Sequence, residues 1–317
     1  MPTRREFLAG ALALFATACS SGTSTPRGTT GTPRSIADLT KGVPQLSLLG
    51  LGSGGAGGDP SDPIQTGTSL QTFDLGVGTS GQLLEEGVAA LYAAPSENAE
   101  LRGPFRSPWS PFTGYEKTGD HSPESPIPGV YVAQMTLPTA GLWTVAAVGP
   151  GGPSEGVGVS HVYVGEPTVA KVGSKAISVN TPVATTEHGL KEICTRQPPD
   201  PMHYISLDEA LKNGKPTVAV FSTPLLCQSQ LCGPVTDEVL LSFEKYGKGK
   251  ANFIHVEEFL PGPDLKPNAS KLSPAFQAWG FRSEPWVIVI DKHGIIRARH
   301  LGPSTAPMVE FALKPLL

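Results

Sequence analysis

Residues 217–235 read Thr217-Val-Ala-Val-Phe221-Ser-Thr-Pro-Leu-Leu-Cys227-Gln-Ser-Gln-Leu-Cys232-Gly-Pro-Val235, an apolar run followed by two thiols and then by Gly-Pro. The run has the length and β-branched content of a buried strand. Val235, Val239, Leu240, Phe243 and Tyr246 then recur at helical spacing, and Gly247 can end that helix. Two thiols at a strand-to-helix junction are well placed for thiol–disulfide chemistry, and the whole chain has only 4 cysteines. Their spacing constrains the local fold. In one continuous helix, residues five apart have Cα atoms roughly 8–9 Å apart and point about 140° away from each other. A disulfide tolerates only about 4.4–6.8 Å. Either Cys227 lies in the loop before the helix or the first turn unwinds on oxidation, and Gly233-Pro234 at the helix start suits the loop.

The pattern on either side alternates helix and strand. Ser206 caps a helix with Asp208 and Glu209 in its first turn, upstream of the strand Thr217–Phe221. Phe253–Val256 is a second strand, and Ser273-Pro274 opens a helix that Gly280 stops. Pro285 precedes a third strand, Trp286–Ile290, a turn at Lys292-His-Gly294 leads to a fourth, Ile295–His300, and a terminal helix runs from about Thr305. This α-β-α-β-α-β-β-α order, together with Trp279-Gly-Phe-Arg-Ser-Glu-Pro285-Trp-Val-Ile-Val-Ile-Asp291-Lys-His-Gly294, resembles the thioredoxin family over residues 202–317. The resemblance implies that Pro285 is cis, faces Cys227 and Cys232, and forms with Glu284 and Trp286 a groove for an extended substrate. Cys227 and Cys232 would be the catalytic pair. The family commonly uses Cys-x-x-Cys, so two alignments remain open. Distance from Phe221 makes Cys227 the nucleophile, whereas Leu231-Cys232-Gly233-Pro234 matches the local motif and makes it Cys232.

Residues 41–165 read as β structure. Thr72–Val77, Val88–Tyr92, Val130–Leu137, Leu142–Val148 and Val157–Val164 are short apolar or alternating runs between Gly/Pro turns. They predict an all-β sandwich that loosely resembles immunoglobulin-like modules, with the Pro/Ser-rich stretch Gly103–Pro128 as an excursion between strands. The expected architecture is therefore two-domain, a β-sandwich and an α/β thioredoxin-like body. A Pro-rich connector over 166–201 would join them. Cys194 falls in this connector, as an idle buried thiol, an intermolecular partner or a third redox participant.

The first residues read as an export signal. Arg4-Arg5-Glu-Phe-Leu8 resembles a twin-arginine signal, and the apolar stretch Phe7–Ala18 is too short to span a bilayer. Ala16-Thr-Ala-Cys19 resembles a bacterial lipobox, which implies cleavage after residue 18 and lipidation of Cys19. Residues 19–40 would be a Ser/Thr/Gly/Pro-rich tether holding the protein on the outer side of a bacterial membrane, where disulfides persist.

Charged residues are 16% and aromatics 7% of the chain, Gly and Pro number 37 and 32, and the net charge is −4. No Lys/Arg cluster supports nucleic-acid binding. The leading expectation is a membrane-anchored thiol–disulfide oxidoreductase acting on an exported thiol- or disulfide-bearing protein, with no cofactor and no assigned metal ligand. Alternatives are a peroxiredoxin-type peroxidase, from Thr223-Pro-Leu-Leu-Cys227; a copper carrier using thiolates with His293 or His300; and a binding lipoprotein whose β half does the work.

Overall fold

The strand β10 (Thr217–Phe221) lies at the centre of a four-stranded sheet ordered β11-β10-β12-β13, with β11 at Asn252–Val256, β12 at Trp286–Ile290 and β13 at Ile296–Leu301. The computed structural model describes residues 33–50, 62–77, 82–114, 127–185, 189–227, 229–259 and 272–317. β10 pairs parallel with β11 and antiparallel with β12, and β12 pairs antiparallel with β13. Both faces of this sheet are covered, so its strands are apolar at successive positions rather than at alternate ones. Val218, Val220, Phe253, Val287 and Val289 face one layer, which holds Val235, Val239, Val309 and Leu313. Ala219, Phe221, Ile254, Ile288 and Ile290 face the other, which holds Leu207, Ala275, Phe276 and Trp279.

Four helices supply those layers. α2 (Leu207–Ala210) and α4 (Pro274–Trp279) lie on one side of the sheet, and α3 (Cys232–Lys250) and α5 (Ala306–Leu313) on the other. The ends of α4 follow the expected signals, whereas the Ser206 side chain makes no cap bond to α2. Ser273 Oγ accepts from the Phe276 N–H, Pro274 begins α4, and Gly280 closes it in the left-handed region at φ 70°. Gly247, at φ 60°, breaks α3 just before its end.

The β half differs from a sandwich. Its strands are β1 (Gln45–Leu49), β2 (Ile64–Gln65), β3 (Gly67–Val77), β4 (Gln82–Leu83), β5 (Val88–Ala94), β6 (Arg102–Pro111), β7 (Gly129–Leu137), β8 (Gly141–Val148) and β9 (Val157–Gly165). Hydrogen bonding follows β1-β3-β7-β6-β5-β8-β9, and β9 then pairs with β1 through Gln45↔Val157 and Leu46↔Gly158. The path closes on itself. Instead of two facing sheets there is one barrel-like sheet, whose interior is filled by Phe73, Leu75, Leu91, Tyr131, Met135, Trp143 and their neighbours.

The strand β6 was hidden by its prolines, in the segment expected to be an excursion. Pro104 and Pro108 are tolerated because over 102–108 this strand pairs with β5 alone and meets β7 only at Trp109–Pro111. The tether is also shorter than expected. Ser35 caps a first helix, α1 (Ile36–Thr40), whose Ile36 and Leu39 are buried against Ala94, Ala146 and Val148. The twin-arginine motif, the lipobox and Cys19 lie outside the described residues.

Two separate bodies on a connector were expected, yet residues 33–317 cluster as one compact unit. The join is polar as well as apolar. Phe112, just beyond β6, packs into the layer that holds α3 and α5. Glu238, fully buried on α3, accepts from the backbone N–H groups of Thr113 at 2.5 Å, Gly114 at 2.6 Å and Ala306 at 2.7 Å. One carboxylate therefore holds the end of β6 and the start of α5. Gly114 passes so close to α3 that a Cβ there would lie 2.6 Å from the Asp237 carbonyl carbon. Residues 173–176 also run along the four-stranded sheet, where the Gly173 and Ala176 N–H groups bond to the carbonyls of Ile296 and Gly294.

Replacing Glu238 by Ala strands two buried N–H groups and a part-buried one, and is expected to cost roughly 3–5 kcal/mol. Chemical denaturation should show the loss in a single transition covering both halves. Two transitions, only one of them displaced, would mean that the halves fold independently.

Candidate functional site

Beyond Phe221 the chain leaves the sheet through Ser222 and Thr223, both buried, and turns with Leu226 N–H bonded to the Thr223 carbonyl at 3.0 Å. Cys227 follows in the loop, Gln230 takes φ 59°, and α3 starts at Cys232. Cys227 and Cys232 are joined as a disulfide with Cα atoms 6.0 Å apart, inside the range such a bond needs. The loop alternative is therefore the one realised. The two sulfurs differ in access. Cys232 is completely buried, whereas Cys227 is half-buried beside Leu225, which is exposed, and 3.2 Å from the Ser229 hydroxyl.

The start of α3 is pinned from behind. Thr236 Oγ1 donates to the Cys232 carbonyl at 2.7 Å and lies 2.7 Å from Ser222 Oγ. Ser222 in turn meets His255 Nε2 through both its hydroxyl and its carbonyl, at 3.1 and 3.0 Å. This chain ties the helix N-terminus to β10 and β11.

The Glu284–Pro285 peptide is cis, as the family resemblance implied. The three expected groove residues separate in role. Pro285 is buried, and its carbonyl accepts from the Gly302 N–H at 2.9 Å. Trp286 is 2% exposed, stacks on Phe281 with centroids 4.6 Å apart and has the Arg299 guanidinium over its ring at 4.8 Å. Its ring therefore belongs to the core, because β12 places it on the inward face, and only its backbone is left to line a groove. Glu284 is the one that reaches the chemistry, with a carboxylate oxygen within 4.8 Å of both sulfurs.

Glu284 is an unusual neighbour for a disulfide. Burial, followed by the negative charges of Glu258 and Glu257, pushes its carboxyl up to about 9. Glu258 is raised as well, by burial, so the two carboxyls share protons rather than both ionising. At neutral pH Glu284 is a carboxylic acid beside the two sulfurs. Glu258 was not singled out from the sequence. The readable signal was position, since residues just past the ends of β10 and β11 and just before β12 must meet at one sheet edge.

Thr223 has another duty. Its hydroxyl accepts from the Glu258 N–H at 2.7 Å and from the Phe259 N–H at 3.3 Å. His300 is buried and pushed down to about 4 by desolvation, while His293 is exposed on the β12–β13 turn. Neither belongs to the group formed by Glu284 and the two sulfurs.

A raised carboxyl couples stability to pH. Between its ordinary value of 4.5 and about 9, folded Glu284 keeps a proton that the unfolded chain has released, so this group lowers stability as pH rises through that window. Glu284→Gln is neutral throughout and should flatten the decline in denaturation midpoint from mildly acidic to alkaline pH. Parallel profiles for the two proteins would mean that Glu284 is ionised in the fold.

No protein-family model matches the chain, and no curated protein matches it. Among solved structures, a thioredoxin-like superfamily protein aligns at 16% identity over 35% of this chain and 84% of its own, with a TM-score of 0.30. The exposed lipoprotein thioredoxin of Streptococcus pneumoniae aligns at 18% identity over 33% of this chain and 87% of its own, TM-score 0.26. A thioredoxin-family thiol:disulfide interchange protein of Chlorobium tepidum aligns at 18% identity over 44% and 99%, TM-score 0.27. The sheet order β11-β10-β12-β13, the helices on its two faces, cis-Pro285 and the Cys227–Cys232 bond at the strand–helix junction make the C-terminal third of this protein a thioredoxin-like region.

Proposed function

We propose that this chain is an exported, lipid-anchored thiol–disulfide oxidoreductase that exchanges electrons with a thiol- or disulfide-bearing protein through Cys227 and Cys232. The observation that carries the reading is the asymmetry of the pair, with one sulfur half-buried in a loop, the other sealed at a helix N-terminus, and the Glu284 carboxyl beside both. A partner thiolate attacks Cys227 Sγ. The Cys227–Cys232 bond breaks, and Cys232 leaves as a thiolate favoured by the helix N-terminus. The protonated Glu284 carboxyl beside that sulfur stabilises its negative charge as a hydrogen-bond donor, without giving its proton up. A second partner thiolate then attacks the partner sulfur of the mixed disulfide, and Cys227 departs as the second thiolate. The partner gains a disulfide, and the two electrons it loses reside on the cysteine pair. The same steps in reverse reduce a partner disulfide.

A peroxidase reading would need Thr223 to hold peroxide, but its hydroxyl is committed to the backbone after β11. Export rests on the Arg4-Arg5 and Ala16–Cys19 motifs, and among the described residues no helix is long and apolar enough to cross a membrane.

Cys232→Ser should trap partners on Cys227 as mixed disulfides visible on non-reducing gels, and Cys227→Ser should trap none. Either change should lower turnover of a model disulfide substrate by at least about 100-fold. Trapping through Cys232 instead would reverse the assignment, and full activity in both variants would reject the reading. Cys19→Ala should move the protein from the membrane fraction to the soluble fraction, and unchanged fractionation would rule out the lipid anchor.

A further inference from the structure

A second cluster of chemically capable side chains lies behind the redox loop and takes no part in the exchange. Cys194 Sγ, Asp200 Oδ2, His203 and His255 each offer one atom, and those atoms all fall within 4.8 Å of one another. All four residues are buried. Cys194 Sγ is 3.3 Å from Asp200 Oδ2 and 3.8 Å from His255 Nδ1; Asp200 Oδ2 is 2.7 Å from that nitrogen and 4.0 Å from His203 Nε2. A four-coordinate ion with bonds of about 2.0–2.3 Å holds its ligand atoms about 3.3–3.8 Å apart, the middle of this range.

Two further observations point to a ligand. His203 is 2% exposed, and its Nε2, facing the cluster, has no hydrogen-bond partner. A buried imidazole nitrogen left without a partner is costly. His255 is oriented as a ligating histidine is, with Nδ1 toward the cluster and Nε2 against the Ser222 carbonyl at 3.0 Å. Asp200 is also held from behind, its Oδ1 accepting from the Met202 N–H at 2.9 Å.

We infer that Cys194, Asp200, His203 and His255 form a tetrahedral structural site for a zinc-class divalent cation. The donor set of one sulfur, two imidazole nitrogens and one carboxylate oxygen suits zinc and not the oxygen-seeking calcium or magnesium. The charges also balance. A thiolate and a carboxylate cancel the 2+ ion, and two neutral imidazoles complete the shell. Binding displaces the thiol proton of Cys194 and any proton shared between His255 and Asp200. With four protein ligands and no exposure, the site is closed, so its role is to fasten rather than to catalyse. It clamps the segment Cys194–His203 onto β11, next to the Ser222 that positions the start of α3. The inference stands apart from the redox proposal, since neither Cys227 nor Cys232 contributes a ligand.

Metal content of the full chain, purified without chelator, tests it directly, followed by titration of cobalt(II) alone into chelator-stripped protein. The expected result is about one zinc per chain. Cobalt should give intense visible bands of four-coordinate geometry and a thiolate-to-cobalt band in the near ultraviolet. A Cys227→Ser/Cys232→Ser double variant should keep both signals, while Cys194→Ser should lose the thiolate band and His203→Ala should weaken binding at least about tenfold. If those last variants do not fold, zinc added to stripped double variant decides, and it should raise the melting temperature. A wild-type chain without zinc and without four-coordinate cobalt bands would overturn the site. So would a thiolate band that survives Cys194→Ser and disappears with Cys227 and Cys232.

Discussion

The central position of β10 is the constraint from which the rest of this protein follows. Because β10 runs parallel to β11 and antiparallel to β12, the ends of two strands and the beginning of a third meet at one edge of the sheet. Backbone hydrogen bonding alone thus brings Ser222-Thr223, Glu257-Glu258 and Glu284-Pro285 together, although 62 positions separate the first from the last (284 − 222). Side chains that would be strangers in an unfolded chain share one dry corner. Desolvation there is strong enough to keep Glu284 protonated, whereas an exposed glutamate would be charged.

The same corner shows how a non-standard cysteine spacing is accommodated. Four residues between the thiols exceed what one helical turn can bridge, so the chain places the first in a loop and the second at the helix start. The loop needs a firm base. Thr223 takes the backbone after β11, and Leu225 N–H reaches Thr195 Oγ1 at 3.4 Å. Thr195 is itself held by Glu257 through its N–H at 2.7 Å and its hydroxyl. Residues around Cys194 thus serve as a buttress for the redox loop. A metal clamp at Cys194, Asp200, His203 and His255 would stiffen that buttress without touching the disulfide sulfurs.

The barrel and the four-stranded sheet are joined by groups that a domain-by-domain reading treats as surface. Glu238 sits in an ordinary helical position, and its burial follows only because β6 delivers Thr113 and Gly114 to it. Arg299, on a strand that could have faced solvent, pairs with Asp62 from the β half and lies over Trp286. Such long-range pairs carry no local signature, and this is why two separate bodies were the natural expectation.

Local signals were sufficient where a decision was local. Ser273-Pro274 and Gly280 set the ends of α4, and the runs at 217–221, 253–256 and 286–290 are strands because so many apolar groups in so few residues are buried there. The pairing of Cys227 with Cys232 was legible too, since the spacing and the Gly233-Pro234 helix start are local features. The closure of the β half was decided elsewhere. Whether strands face one another or join edge to edge depends on the pairing of β1 with β9, which lie 112 positions apart (157 − 45). Prolines hid β6 because their tolerance depends on which neighbour is missing. The protonation of Glu284 and the gathering of Cys194 with two histidines likewise needed the fold, because burial and distance belong to the folded chain and not to the order of its residues.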